Sequence, residues 1–338
     1  KKAGGVYYTP VYIVEYIVNH TVGTLCEGPS SEPVLSQSKH SGQGKTPKQI
    51  SKLRILDPAC GSGSFLIGAY RYLLNYHRDW YVKDGPAKYR KEVFQTASGE
   101  WRLTTQEKKR ILLNNIYGVD IDSQAVEVTK LSLLLKVLEG ESDETLKRQL
   151  SFVHERALPD LGQNIKCGNS LIGPDYFAGQ LMPDDEEMRR VNPFDWKAEF
   201  PEIMKAGGPS AGSGQGFDAV IGNPPYVRQE SLSGFKDYLA QRYEAYDGVA
   251  DLYAYFMEKS LTLLREGGRF SFIVSSSFLR TTYGEALRRT LKKQAAVLRI
   301  LDFGGLAVFE NAKDTYVCIP LLAKTKQPSR IEVSRIPS

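Results

Sequence analysis

The sequence lacks the features of a membrane protein, a disulfide scaffold or a metal site. It has no run of about 18 apolar residues that would span a membrane, and no charged-then-apolar signal segment at its start. Its histidines are isolated, so no metal is expected. Its four cysteines are Cys26, Cys60, Cys167 and Cys318. They form no C-x-x-C pair, which argues against a zinc ribbon and fits a reducing, cytoplasmic compartment.

Charge and length set only broad limits. The 338 residues include 44 Lys and Arg and 39 Asp and Glu, a net charge of +5, which permits a nucleic-acid partner but does not require one. With 41% hydrophobic and 25% charged residues, the composition is that of an ordinary globular protein. The length allows one large domain or two smaller ones.

Strand and helix patterns alternate through the first half of the chain. After a first helix over 12–25, capped by Thr9 with Pro10 as its first residue, 53–57 predicts a strand that ends in an acid. A helix over 64–76 and a strand over 115–120 follow. The next helix, 123–138, has as its expected apolar side Val126, Leu131, Leu134, Leu135 and Leu138.

The second half continues this alternation, which is typical of a doubly wound, mostly parallel α/β sheet with helices on both faces. The expected strands are 217–221, 269–275, 297–302 and 315–323, and the expected helices are 251–264 and 283–294. Three stretches interrupt the pattern: a flexible loop over 27–50, a charged helix over 141–156, and a surface excursion over 174–216 with a low-complexity run at 206–214.

A glycine-rich turn joins the first strand to its helix. The run Asp57-Pro58-Ala59-Cys60-Gly61-Ser62-Gly63-Ser64 lets the backbone approach a ligand closely, beside a helix N-terminus that favours polar or anionic groups. The dinucleotide pattern G-x-G-x-x-G fails because position 66 is Leu. A ligand-binding turn and a plain structural turn both remain open.

An acid ends the next strand. Asp120 occupies the position at which nucleotide-binding sheets place a carboxylate on ribose hydroxyls, whereas Asp122 is expected to cap the helix that starts at Ser123.

Asn223-Pro224-Pro225-Tyr226 follows the buried strand 217–221. Two prolines make this loop rigid, and it lies where open α/β sheets bind ligands. The Asn223 amide oxygen and the Pro224 carbonyl can both accept hydrogen bonds from one amino group, and Tyr226 offers a flat face to a planar ring. A structural Asn-Pro turn is the alternative.

Together these residues resemble an S-adenosylmethionine-dependent N6-adenine DNA methyltransferase of the gamma motif order. The resemblance is greatest to the Rossmann-like methyltransferase core of type IIG, Eco57I-like restriction-modification enzymes, and it runs from 5 to about 324. Motif matches lie at 5–10, 57–65, Asp120, 167–171 and 223–226, with a weaker match at 308–312. Many relatives have Asp where this chain has Asn169.

The resemblance implies the roles of the site residues. Asn223, Pro224, Pro225 and Tyr226 would form the catalytic loop, Tyr226 and Phe309 would stack on the flipped base, and Arg228 is a candidate for a DNA phosphate; Phe309 has core packing as its alternative. Cofactor contacts are implied for Tyr8, Thr9, Pro10, Asp57, Ala59, Cys60, Gly61, Gly63, Asp120, Ile121, Asn169 and Ser170.

A single methyltransferase domain over 1–338 is therefore expected, in the cytoplasm of a bacterium or archaeon, near the nucleoid. Its parts are an N-terminal cofactor-motif helix (1–26), a loop (27–50), a cofactor half (51–173), an insertion (174–216) and a catalytic half (217–325). The expected partner is double-stranded DNA, read by a target recognition domain outside this chain. The alternatives are a protein glutamine N5-methyltransferase and a cofactor-binding DNA-binding subunit without turnover.

Overall fold

A central, mostly parallel sheet organises the chain. The computed structural model describes residues 9–28, 44–140, 158–179, 184–205, 215–227, 234–306, 308–309, 316–325 and 332–335. Within them the strands are β1 Ile55–Asp57, β2 Val93–Gln95, β3 Trp101–Leu103, β4 Ile116–Asp120, β5 Ile165–Cys167, β6 Phe217–Gly222, β7 Leu264–Phe272, β8 Val274–Ser275, β9 Ala296–Asp302, β10 Val317–Ala323 and β11 Glu332–Arg335.

The strand order is β11-β9-β10-β7-β6-β1-β4-β5, with β8 also paired to β10. β1 pairs in parallel with both β4 and β6, and β5 and β7 extend the parallel set outward from them. β10 runs antiparallel to β7 and β9. The carboxyl ends of β1, β4, β5 and β6 therefore meet at one edge, the crevice where doubly wound sheets bind ligands.

Helices cover both faces of the sheet, as the alternating pattern predicts. Neighbouring β1 residues point to opposite sides, so Ile55 joins one apolar core and Leu56 the other. The helices are α1 Val11–Val18, α2 Thr24–Glu27, α3 Pro47–Ile50, α4 Ser64–Asp84, α5 Thr105–Asn115, α6 Ser123–Leu138, α7 Asp185–Val191, α8 Trp196–Glu199, α9 Pro201–Met204, α10 Lys236–Arg242, α11 Leu252–Leu263 and α12 Gly284–Gln294.

The start of the chain departs from the predicted helix over 12–25. α1 ends at Val18, a π-helical turn covers Asn19–Gly23, and α2 follows. The prediction of Thr9 as N-cap is wrong: Pro10 holds that position without a side-chain cap. The Thr9 hydroxyl instead accepts a hydrogen bond from Asn223, 214 residues away.

The inward face of α6 also differs from the prediction. Leu131 and Leu135 were expected on the apolar side, but they are 57% and 58% exposed. The helix is apolar on most of its circumference, so periodicity alone could not identify the face that packs. The residues of α6 that are buried are Val126, Thr129, Leu133 and Val137.

The prediction that 174–216 forms a surface excursion is wrong for much of the part that the structure describes. Phe194 and Trp196 are 4% and 5% exposed and pack edge-to-face, and both belong to the second apolar core. These aromatics are spaced without strand or helix periodicity, which is why the pattern does not show that they are buried. The expected helix over 141–156 and the run 206–214 lie outside the described residues.

The first half contains elements that the sequence pattern did not predict, and one helix that is longer than expected. β2 and β3 form a separate antiparallel hairpin, and α4 extends to Asp84 rather than 76. Part of the expected loop over 27–50 is ordered as α3, which Thr46 and Gln49 close with a capping box. Among the described helices, none is long and apolar enough to cross a membrane.

Truncation of Trp196 tests whether the segment over 184–205 belongs to the core. We expect Trp196→Ala to lower the free energy of unfolding by about 3–5 kcal/mol, because a buried aromatic ring is lost. Chemical denaturation measures the change. Lys197→Ala, at an exposed neighbour, is the matched control and should cost less than about 0.5 kcal/mol. Similar stabilities for the two variants would contradict the burial.

Candidate active site

A cavity of about 650 Å³ opens at the carboxyl edge of the sheet. It is formed by the ends of β1 and β4, the loops after β5 and β6, and the N-terminus of α4. Eleven of the residues predicted to be catalytic or cofactor-binding line it: Thr9, Asp57, Ala59, Cys60, Gly61, Asp120, Ile121, Asn169, Ser170, Asn223 and Pro225. Pro10, Gly63, Pro224, Tyr226 and Phe309 lie outside its lining, and Tyr8 and Arg228 lie outside the described residues.

The glycine-rich turn is shaped by contacts that only glycine permits. Gly61 and Gly63 have φ angles of 51° and 84°, in the left-handed region. A Cβ on Gly63 would lie 2.9 Å from Cγ2 of Thr129. The Thr129 hydroxyl donates to the Gly61 carbonyl over 2.7 Å, and the Cys60 N–H donates to Val119 over 3.0 Å. Gly63 therefore shapes the turn without lining the cavity.

Asp57 is a buried carboxylate with little compensation. It is 2% exposed, and the Ala59 N–H donates to its Oδ1 over 3.1 Å. Burial raises the pKa of Asp57 to about 8, the Ala59 hydrogen bond opposes this, and the nearby Asp120 charge adds to it. A Cβ on Gly222, just before Asn223, would lie 2.7 Å from Oδ1 of Asp57, so this carboxyl group lies directly against the base of the Asn-Pro-Pro-Tyr loop.

Asp120 joins the glycine-rich turn to the end of β4. Its Oδ2 accepts the Gly61 N–H over 2.8 Å and its Oδ1 accepts the Asp122 N–H over 2.9 Å. Burial raises the pKa of Asp120, while these backbone donors oppose the shift. Asp122 caps α6 by accepting the Gln124 N–H over 2.8 Å, which confirms that prediction.

The loop after β5 is held from two sides. The Ser170 hydroxyl donates to the Pro58 carbonyl over 2.5 Å, and the Trp196 indole N–H donates to the Ser170 carbonyl over 3.0 Å. The Asn169 N–H donates to Asn192, and its Oδ1 accepts the Leu171 N–H over 3.1 Å. The segment over 184–205 thus fixes a wall of the cavity.

The catalytic-motif loop brings Asn223 to the cavity wall. Its Nδ2 donates to the Thr9 hydroxyl over 3.1 Å. Its Oδ1 is buried and accepts no hydrogen bond from any described residue. An orphaned buried acceptor is costly, and such atoms in native structures call for an explanation.

Tyr226 lies on the other side of this loop, against the core. Its hydroxyl donates to the Ile273 carbonyl over 3.2 Å, and its ring meets Phe309 edge-on, with centroids 6.0 Å apart and planes at 76°. Phe309 is 2% exposed and belongs to the apolar core that contains Ile55. This is the environment expected if Phe309 serves in core packing, the alternative to base stacking. A stacking role for Phe309 stays a prediction.

Sequence reasoning missed the apolar wall of the cavity. Phe235 directly precedes α10 and Leu239 lies within it. Leu252 and Phe256 are one turn apart on α11. The i, i+4 spacing of the last two was visible, but core helices show the same spacing. The site therefore combines buried acids with a flat apolar surface, a setting for a ligand with a polar end and a planar ring.

Solved structures with the same architecture are restriction-modification enzymes. A nuclease-deletion mutant of the type ISP enzyme LlaGI, in complex with a DNA substrate mimic, matches 98% of this chain and 24% of that one, with TM-score 0.57 and 16% identity. The type IIL enzyme MmeI, in complex with DNA, matches 86% and 34%, with TM-score 0.54 and 14% identity. At such identities the likeness shows the fold alone.

Sequence profiles and relatives define the family. The profile of the Eco57I restriction-modification methylases matches residues 114–309, and that of the N-6 DNA methylases matches residues 1–155. The chain belongs to the family of Eco57I restriction-modification methylases, as its motifs predict, and S-adenosylmethionine is the cofactor that this family implies.

Two curated relatives give the scale of the similarity. Type II restriction enzyme and methyltransferase RM.Eco57I of Escherichia coli is 30% identical over 320 residues, 94% of this chain and 27% of the relative. Adenine-specific methyltransferase BrxX of Escherichia coli O9:H4 (strain HS) is 23% identical over 368 residues, 89% of this chain and 29% of the relative. The chain spans little more than a quarter of the length of either.

The residues present fit S-adenosylmethionine. Asp57 offers a buried carboxylate that lacks a cationic partner among the described residues, which suits the positive charges at the methionine end. Asp120 retains acceptor capacity for ribose hydroxyls, and the apolar wall suits an adenine ring. Within the described ranges, no cluster of three or more His, Cys, Asp or Glu could hold a metal ion.

Proton release on cofactor binding tests the role of Asp57. With a pKa of about 8 its carboxyl is mostly protonated at pH 7, and pairing with a cation lowers that pKa, so binding releases a proton. We expect titration calorimetry in buffers of different ionisation enthalpy to show up to about 0.9 proton released at pH 7. Affinity should therefore rise with pH until about 8.

Asp57→Asn supplies the comparison, because it removes the titrating group while nearly preserving its shape. We expect this variant to bind more weakly and to release less proton. The difference in proton release should vanish well above pH 8, where Asp57 is already ionised, and the difference in affinity should be largest there. Equal proton release by the two proteins at pH 7 would show that Asp57 does not exchange its proton for the cofactor.

Proposed function

We propose that this chain transfers the methyl group of S-adenosylmethionine to the exocyclic N6 amine of adenine in double-stranded DNA, as part of a restriction-modification system. The observation that carries the proposal is the Oδ1 of Asn223, a buried acceptor with no donor among the residues that the structure describes, in the Asn-Pro-Pro-Tyr loop at the wall of the cofactor cavity. An adenine amino group supplies the donor that this oxygen lacks.

The catalytic loop acts by positioning an amine. Asn223 Oδ1 and the Pro224 carbonyl accept the two amino hydrogens, which localises the nitrogen lone pair and directs it toward the cavity. S-adenosylmethionine supplies a methyl group that is already activated by its sulfonium. The loop therefore needs no strong general base, and its contribution is orientation and electrostatics.

The target base must leave the duplex to reach this loop. N6 lies inside the double helix, and enzymes that act on such atoms flip the nucleotide into a pocket. Tyr226 is the last residue of this loop, and stacking on such a ring contributes about 1–3 kcal/mol per base. In the structure Tyr226 and Phe309 touch each other edge-on, so a base that stacks between them has to separate the two rings.

DNA and a recognition module complete the proposal. LlaGI and MmeI were solved with DNA or a DNA mimic, and RM.Eco57I is named as both restriction enzyme and methyltransferase. We propose that a target recognition domain or subunit outside these residues reads the sequence, that Arg228 contacts a phosphate, and that the chain works in the cytoplasm near the nucleoid.

Two rival functions share parts of this site. The same loop can hold a glutamine side-chain amide of a protein, and a DNA-binding subunit can keep the cofactor fold without turnover. The relatives named as adenine-specific methyltransferases favour DNA. Incubation of the chain, joined to its recognition domain or subunit, and tritiated S-adenosylmethionine with unmethylated genomic DNA or with a protein mixture separates all three, by label in DNA, in protein or in neither.

Truncation of the catalytic loop is the direct test. We expect Asn223→Ala to lower kcat for methyl transfer to DNA by at least about 100-fold, because one acceptor for the amine is lost, and Tyr226→Ala to be similarly impaired. Both should bind S-adenosylmethionine with an affinity within about threefold of the wild type, since neither change removes a charged cofactor contact.

Tyr12→Ala is the matched control, because Tyr12 is a 57% exposed tyrosine on α1 outside the cavity. It should methylate DNA at the wild-type rate, within about twofold. A purified Asn223→Ala variant with full activity would show that the loop does not carry the reaction.

A further inference from the structure

The Thr9–Asn223 contact joins the beginning of the described chain to the catalytic loop. Thr9 is 5% exposed, and its hydroxyl oxygen accepts the Asn223 Nδ2–H over 3.1 Å. This bond uses the amide nitrogen and leaves Oδ1 of the same side chain without a described partner. The two ends of the amide thus have separate roles: the nitrogen is held by the protein and the oxygen is kept for another donor.

The backbone that carries Thr9 is firmly placed. α1 begins two residues later and packs on α4, where a Cβ on Gly68 would overlap Val14. An ion pair between Arg71 and Glu15, with 2.9 Å between Nη2 and Oε1, joins the same two helices. α4 begins at the glycine-rich turn, so Thr9 is fixed relative to the cofactor cavity that it lines.

We infer that Thr9 is a positioning residue for methyl transfer: its hydroxyl holds the Asn223 amide so that Oδ1 can accept the target amine. The inference rests on the proposed function and assigns Thr9 a role in kcat beyond that of a cofactor contact. A side chain with free rotation about its χ angles loses orientation unless a second group fixes it, and here the Thr9 hydroxyl is that group.

Three variants distinguish this positioning role from a cofactor contact and from the general effect of losing a buried hydroxyl. Thr9→Val keeps the shape and removes the hydroxyl, while Thr9→Ser keeps the hydroxyl. Thr21→Val is the matched control, because Thr21 is a buried threonine of the same segment whose hydroxyl donates to the Ile17 carbonyl over 2.7 Å and which does not line the cavity. Each is assayed for tritiated methyl transfer to unmethylated genomic DNA across a range of S-adenosylmethionine concentrations.

We expect Thr9→Val to lower kcat about tenfold or more at saturating S-adenosylmethionine, with the KM for S-adenosylmethionine within about threefold of the wild type. Thr9→Ser should recover most of the lost kcat, and Thr21→Val should match the wild type. A wild-type kcat in Thr9→Val, or a loss that more cofactor fully restores, overturns the inference, since the second result makes Thr9 a cofactor contact only.

Failure of the proposed function has a different signature. A wild-type protein that is assayed together with its recognition domain or subunit, and that binds S-adenosylmethionine in calorimetry but labels no DNA, overturns the methyltransferase proposal, and the positioning role falls with it. If the wild type and Thr9→Val label DNA at the same rate, the proposed function stands and only the role of Thr9 is removed.

Discussion

The site depends on the parallel pairing of β1 with both β4 and β6. This pairing places Asp57, Asp120 and Asn223 at the same edge of the sheet, although they lie far apart in the chain. The space around Asp57 is narrow. In the register of β1 and β4, Asp57 pairs with Gly118, which has no side chain, and Asp57 also lies against Gly222. A Cβ on Gly222 would crowd the carboxylate, so glycine at this position is part of the geometry of the site.

The buried acids show how ligand binding and stability oppose each other here. A carboxylate out of water with one backbone donor is unfavourable, and burial raises the pKa of Asp57 accordingly. The orphaned oxygen of Asn223 adds a second unfavourable group in the same cavity. Both deficits are corrected by groups that the proposed reactants carry, a cation and an amine, so the site favours binding of both.

The sequence predicted the sheet and its motif loops well because those segments are locally distinctive. Strands such as Phe217–Gly222 are continuous apolar runs, and Asp57, Asp120 and Asn223 directly end or follow a strand. Thr9 was misassigned as a helix cap because its partner is 214 residues away, beyond the reach of local reasoning. Trp196 and the exposed Leu131 were missed because burial there depends on which neighbour packs, which periodicity does not encode.

The span of the Thr9–Asn223 contact has a consequence for how the protein comes into being on the ribosome. Local helices such as α4 can form early, but a bond between residues 214 positions apart needs all the residues between them to have been made first. The Asn223 amide is therefore oriented only after β6 has joined β1. A chain still in synthesis that has already formed the glycine-rich turn would lack this contact, so the order of translation sets when the two parts of the proposed site are in place.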